Sequence, residues 1–146
     1  MTEQLAAMSS DVEELNSRIE RAVTDGLLIA SSAKNIRTLL DGAGSDIYFR
    51  SVNELVHAAE WQELNDRFYQ TLAFGTGGLR GRTIGKIVTT AERGHAHEDE
   101  RPQFPSVGTN AMNFFNINRA TRGLVAYLHD WNERLRMQAG RYLQHR

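Results

Sequence analysis

Phe74-Gly75-Thr76-Gly77-Gly78-Leu79-Arg80-Gly81-Arg82 sets four glycines, two arginines and a threonine into nine consecutive positions. Glycine inside a regular element costs roughly 0.5–1 kcal/mol relative to alanine, so such a cluster marks backbone that turns sharply or approaches another group closely. Arginine carries a planar fork of N–H donors that matches two oxygens of a phosphate or a carboxylate. Together they describe an anion site, and equally a tight turn held by an ion pair. The cluster is not a Walker A loop, because no Gly-Lys-Ser/Thr follows. Nor is it the dinucleotide fingerprint, since Gly75, Gly77 and Gly81 are wrongly spaced. His95-Ala96-His97-Glu98-Asp99-Glu100 has ligand-type residues for a metal, yet in an extended loop its two histidines point to opposite sides.

Composition narrows the classes. Seventeen basic against eighteen acidic residues leave a net charge of −1, without the basic excess of a nucleic-acid or anionic-membrane binder. There is no cysteine, hence no disulfide, thiolate nucleophile or cysteine zinc site. No apolar run approaches the roughly 20 residues of a membrane span, and the polar start lacks the pattern of a signal peptide. A soluble cytoplasmic protein is the expectation.

The elements that must position the cluster fall into two regions, 1–70 and 71–146. The first reads as helical. Leu5, Met8, Val12, Leu15, Ile19 and Ala22 line one helix face, and Ser10 with Glu13 forms a capping-box pattern that starts the regular helix there. This stripe is expected to pack on the rest of the chain rather than form a coiled coil. Gly26 interrupts it, and a second piece through Ile36, Leu39 and Leu40 stops at Asp41-Gly42-Ala43-Gly44. Ser51 and Glu54 repeat the capping pattern before Leu55, Val56 and Ala59, and Trp61, Leu64 and Phe68 continue the apolar face. Strands are expected on both sides of the glycines, the second through the β-branched run Thr83–Thr90. Residues 91–108, with both prolines and dense charge, read as a long, exposed, mobile loop. Asn113 or Asn116 caps a last helix with an inner face of Ile117, Ala120, Leu124, Leu128, Trp131 and Leu135, ending near Gly140.

Three segments in order carry a resemblance. Glu63-Leu64-Asn65-Asp66-Arg67-Phe68 matches an E-L-x-x-R-F pattern. Phe74-Gly75-Thr76-Gly77-Gly78-Leu79-Arg80-Gly81 is similar to F-G-T-[AS]-G-[LI]-R-G. Ala120-Thr121-Arg122-Gly123-Leu124-Val125-Ala126-Tyr127-Leu128 is similar to A-T-x-G-[LF]-x-x-Y-L in an asparagine-led helix. This resembles the opening of the α-D-phosphohexomutases, the phosphoglucomutases and phosphomannomutases. Gly77 stands where alanine or serine is usual, and the stretch from Arg82 to Ala111 is far longer than the usual turn.

The resemblance implies an α/β fold. A helix-rich amino-terminal arm would precede the opening strands and first helix of a three-layer α/β/α domain I, with a loop insertion at about 91–108 and an incomplete sheet. It implies an enzyme that interconverts hexose 1-phosphate and hexose 6-phosphate through a phosphoserine and a hexose bisphosphate intermediate. Arg80 is then the catalytic cation near the phosphoserine, with Thr76, Gly77, Gly78 and Arg82 as phosphate-binding residues. Mg²⁺ is implied as cofactor, but its D-x-D-x-D-R loop, the T-A-S-H-N-P serine loop and the sugar-selecting loop do not occur in this sequence. The chain then reads as an amino-terminal piece, inactive alone, whose unfinished domain leaves room for self-association. The alternatives are a non-catalytic phosphate-binding module and a helical interaction protein organised by the amino-terminal heptads.

Overall fold

The apolar stripe of the first helix packs into the chain's own core, where Leu15, Ile19 and Ala22 are buried. The computed structural model describes residues 2–42 and 44–144, with side chains from 10 to 42 and 44 to 138, so Leu5 and Met8 lie outside the described side chains. Six helices occur among these residues: α1 (Thr2–Thr24), α2 (Ala30–Gly42), α3 (Asp46–His57), α4 (Trp61–Phe68), α5 (Thr90–Arg93) and α6 (Phe114–Gln144). Strands β1 (Phe74–Gly75) and β2 (Gly78–Leu79) pair antiparallel. The fold is helix-rich with one small sheet. No described helix is long and apolar enough to cross a membrane.

Helices α1 to α4 enclose the core, with Ile36 and Leu39 from α2, Val52, Leu55 and Val56 from α3, and Leu64 and Phe68 from α4. Several boundaries differ from the sequence expectation. Helix α1 begins at Thr2, so Ser10 lies inside it. Helix α3 begins five residues before Ser51 and is capped by Ser45, whose side chain accepts from the Ile47 amide. Ser51 is buried in mid-helix, and Glu54 reaches outward to accept the Thr90 amide and hydroxyl. The capping pattern was real as a donor–acceptor supply and wrong as a helix start.

The run Thr83–Thr90 forms no strand. Thr89 instead caps α5 in a full capping box with Glu92. β-branched residues fit a sheet only when a neighbouring strand offers its edge, and here the partners are α3, α4 and the 106–109 segment. Nor is 91–108 exposed throughout. Ala91, Glu92, Ser106 and Val107 are buried, and the Phe104 amide donates to the Glu92 carbonyl. The exposed residues are 94, 95, 97–101 and 103. Helix α6 continues through Gly140 to Gln144, and its expected inner face is largely uncovered.

Two helices end on the same hydrogen-bond pattern. After α1, Gly26 (φ 72°) donates to the Val23 carbonyl and Leu27 to the Ala22 carbonyl. After α3, Ala59 (φ 56°) donates to Val56 and Glu60 to Leu55. Both are Schellman closures, but the second sets an alanine in the left-handed region, which costs an L-residue roughly 1–2 kcal/mol. Ala59→Gly relieves that cost and adds some unfolded-chain entropy, so the variant is expected to gain about 0.5–1 kcal/mol in urea unfolding. Gly26→Ala is expected to lose stability in the same assay. A stability loss in Ala59→Gly contradicts this account of the α3–α4 break.

Candidate functional site

Helix α4 places Glu63 and Arg67 one turn apart, and both are buried. All five guanidinium N–H groups of Arg67 have acceptors. Nε donates to Glu63 Oε1 at 2.8 Å, Nη1 to Glu92 Oε1 and the Val107 carbonyl, and Nη2 to the Ile87 carbonyl and Glu92 Oε2. Glu92 Oε1 also accepts the Val107 amide at 2.7 Å and the Ser51 hydroxyl at 3.1 Å. Glu63 Oε1 accepts the Lys86 amide at 3.1 Å. The backbone comes close enough that a Cβ at Gly108 would lie 2.7 Å from the Arg67 carbonyl oxygen. A Cβ at Gly85 would overlap the Arg67 guanidinium and Glu63.

The rest of the Glu63–Phe68 segment is equally committed. Leu64 and Phe68 are core residues. The Asn65 amide accepts from the Ile29 N–H and donates to the Leu27 carbonyl, fixing the α1–α2 turn. Asp66 receives Lys86 Nζ at 2.7 Å and Arg82 Nη2 at 3.4 Å. Those contacts, the Lys86 hydrogen bond foremost, hold its carboxyl below its ordinary 3.8. Arg82 also stands 3.9 Å from Glu63 Oε2, an oxygen with no hydrogen-bond partner among the described residues.

The glycine hairpin stands at the edge of this framework. Gly75 pairs with Gly78 and Phe74 with Leu79, leaving Thr76 and Gly77 as a two-residue turn. Gly78 adopts φ 105°, with nothing within 4 Å of an added Cβ, so its constraint is conformational rather than steric. The guanidinium of Arg80 folds back over Gly77, where a Cβ would lie 2.6 Å from Nη2. The base of the hairpin is pinned by the Leu72 amide on the Thr109 carbonyl and by Arg119 on the Leu72 carbonyl. Arg82 continues into a parallel bridge with Ala111.

Arg80 and Arg82 share one open pocket of about 380 Å³ with Gln70, Ser106 and Asn110. Thr76, Gly77 and Gly78 do not line it and stay at the hairpin tip. The two arginines differ in state. Arg82 is committed to Asp66 and Glu63, whereas Arg80 has no ion pair or hydrogen-bonded partner among the described residues and is exposed. An exposed cation beside flexible glycine backbone is suited to meet an anion, which the ion-paired Arg82 meets only by releasing its carboxylates.

No group of three or more His, Cys, Asp or Glu side chains that could hold a metal ion occurs among the described residues. Asp66, the carboxylate nearest the pocket arginines, is already neutralised by two cations and does not suit Mg²⁺. His95 and His97 are exposed, their amides held by Gln103 and Glu100.

The Arg67 cluster was missed as a unit by sequence reasoning. Two signals were present: Glu63 and Arg67 at i,i+4, and Thr89 with Glu92 in capping-box order.

Arg67→Met leaves two carboxylates buried without their shared cation, so it is expected to cost about 3–5 kcal/mol in denaturant unfolding. A loss below 1 kcal/mol contradicts the hub role. For Asp66 the sign follows from its lowered carboxyl. Its stabilisation is complete above the unfolded value of 3.8 and is lost as pH falls through the lower folded value. Asp66→Asn is therefore expected to flatten that acidic segment of the stability–pH curve. An unchanged slope there contradicts the assignment. No family model, curated protein or solved structure matches the chain, so its chemistry rests on the arrangement of these residues.

Proposed function

We propose that the chain is the amino-terminal segment of an α-D-phosphohexomutase-like enzyme, and that its glycine hairpin presents Arg80 to the phosphate of a hexose phosphate. The supporting observation is the state of Arg80, a guanidinium without a carboxylate partner among the described residues, beside a turn that needs glycine at 78. If Arg80 served only to fix the bend, it would be expected to pair with a carboxylate, as Arg67 and Arg82 do. The ordered segments E-L-x-x-R-F, F-G-T-x-G-L-R-G and A-T-x-G-L-x-x-Y-L support the family reading. Under it, the hairpin is the opening of a three-layer α/β/α domain whose remaining strands belong to chain beyond this sequence.

The transferred phosphoryl group spreads negative charge over its equatorial oxygens, so its transfer is assisted mainly by positioned cations. Arg80 supplies a fork that accommodates two such oxygens, and the hairpin lets that fork swing from Gly77 toward the group. Arg82, held by Asp66, adds positive potential to the same pocket. Phosphoserine, magnesium and sugar-selecting loops would come from outside this sequence, so the 146 residues alone are expected to show no turnover of glucose or mannose phosphates.

Binding is the direct test. Glucose 6-phosphate titrated into the purified chain is expected to shift amide resonances of residues 75–82 in a nitrogen–proton correlation spectrum. Arg80→Ala is expected to weaken this binding about tenfold, the loss of roughly 1.4 kcal/mol from one charge-assisted contact. Arg80→Lys is expected to fall between the two. Equal binding by Arg80→Ala, or shifts confined to other segments, overturns the assignment.

A further inference from the structure

Arg82 is held far more loosely than Arg67. The Arg67 side chain is 2% exposed and all its N–H groups are used, whereas that of Arg82 is 42% exposed and makes one hydrogen bond among the described residues. That bond, Nη2 to Asp66 Oδ2 at 3.4 Å, is longer than the usual range of roughly 2.7–3.2 Å. Nη1 stands 3.9 Å from Glu63 Oε2, an approach that makes no hydrogen bond. Asp66 meanwhile has a better partner, since Lys86 Nζ reaches the same Oδ2 oxygen at 2.7 Å. The Arg82 side chain can therefore leave without stripping Asp66 of a cation.

The backbone around it is fixed. The Arg82 carbonyl accepts the Met112 amide and the Thr83 carbonyl accepts the Ser106 amide, both at 2.8 Å. The facing wall is pinned by Asn113 and Asn116, whose side chains donate to carbonyls of Ser106, Gly108, Thr109 and Ala111. A swing of Arg82 is thus confined to its side chain, in a pocket of about 380 Å³ that it lines with Arg80. Ser106, 3% exposed, lines it too, and its hydroxyl has no hydrogen-bond partner among the described residues.

We propose that Asp66 is an internal competitor for the anion of this pocket: Arg82 rests on its carboxylate until a dianion, a phosphate monoester, takes its place. The proposal rests on the reading of the pocket as an anion site. Arg80 meets the first charge. A monoanion held there offers Arg82 nothing stronger than the carboxylate it already touches. A dianionic phosphate brings a second charge and a further oxygen, so a second fork gains by turning inward. The resting contact is weak enough to lose. An exposed ion pair shifts an equilibrium by no more than about fivefold, and the long, half-exposed Arg82–Asp66 contact belongs to that class. Lys86 keeps Asp66 paired after the exchange. Asp66 thereby governs affinity without touching the ligand.

Inorganic phosphate is titrated into the full chain at about pH 8 and about 0.15 M salt, where long-range fields are screened within about 8 Å. Asp66→Asn is expected to tighten binding about three- to fivefold. In an Arg82→Met background the same change is expected to shift binding less than about twofold, because no fork is left to release. Circular dichroism checks that each variant stays folded. The parent chain gives a readout that needs no variant. The Nε–Hε resonances of Arg80 and Arg82 are both expected to shift as phosphate is added, and only that of Arg80 with acetate, a monoanion. Unchanged or weaker binding by Asp66→Asn overturns the proposal, as does a gain that persists in Arg82→Met. So does an Arg82 resonance unmoved by phosphate, or moved equally by acetate. The two readings fail apart: undiminished binding of glucose 6-phosphate by Arg80→Ala sinks the hexose reading, whereas the Asp66–Arg82 cycle with inorganic phosphate decides this one.

Discussion

A single buried guanidinium joins four parts of the chain. Arg67 ties α4 to α5 through Glu92, to the 83–89 stretch through the Ile87 carbonyl, and to the 106–109 stretch through the Val107 carbonyl. A buried charge without partners would cost several kcal/mol, and a cation fully hydrogen-bonded to two carboxylates and two carbonyls avoids most of that cost. The irregular segments around it are therefore shaped by the donor directions of one side chain. Glycine at 85 and 108 lets two of them come within its reach.

This arrangement separates the arginines by duty. Arg67 is saturated and internal. Arg82 stands at the rim, balancing the second carboxylate of the cluster and holding Asp66. Arg80 lies beyond both and has no such obligation among the described residues. The cation that the framework does not need is the one left exposed, while the framework fixes the backbone that carries it.

Much of the helical framework was legible because burial and period coincide there. Leu15, Ile19, Ile36, Leu39, Leu55, Leu64 and Phe68 recur at helical spacing and are all core residues. The glycine turn and the asparagine-led start of α6 were legible for local reasons, a positive φ at Gly78 and a side-chain cap at Asn113. The stretch from 83 to 108 was not. Its β-branched residues suggest a strand and its charges suggest solvent, yet Glu92 is buried and Thr89 is a cap. The burial of Glu92 depends on Arg67, more than twenty residues away in sequence, and local propensity carries no information about a partner at that separation. The apolar face of α6 misled in the opposite direction, since amphipathic spacing specifies that a face should be covered and not by what.

Helix α6 is also a lever. Rooted by two asparagine amides, it projects about 36 Å from Asn116 to residue 140 at 1.5 Å per residue. Over that reach a rotation of about 5° at the root moves the far end by about 3 Å. The relation runs backwards as well. A load on the free end bears on the short turn at its base, where the Met112 amide donates to the carbonyl of Arg82. The strut and the cationic pocket thus share a fulcrum, and whatever steadies the tip also steadies the backbone from which Arg82 extends.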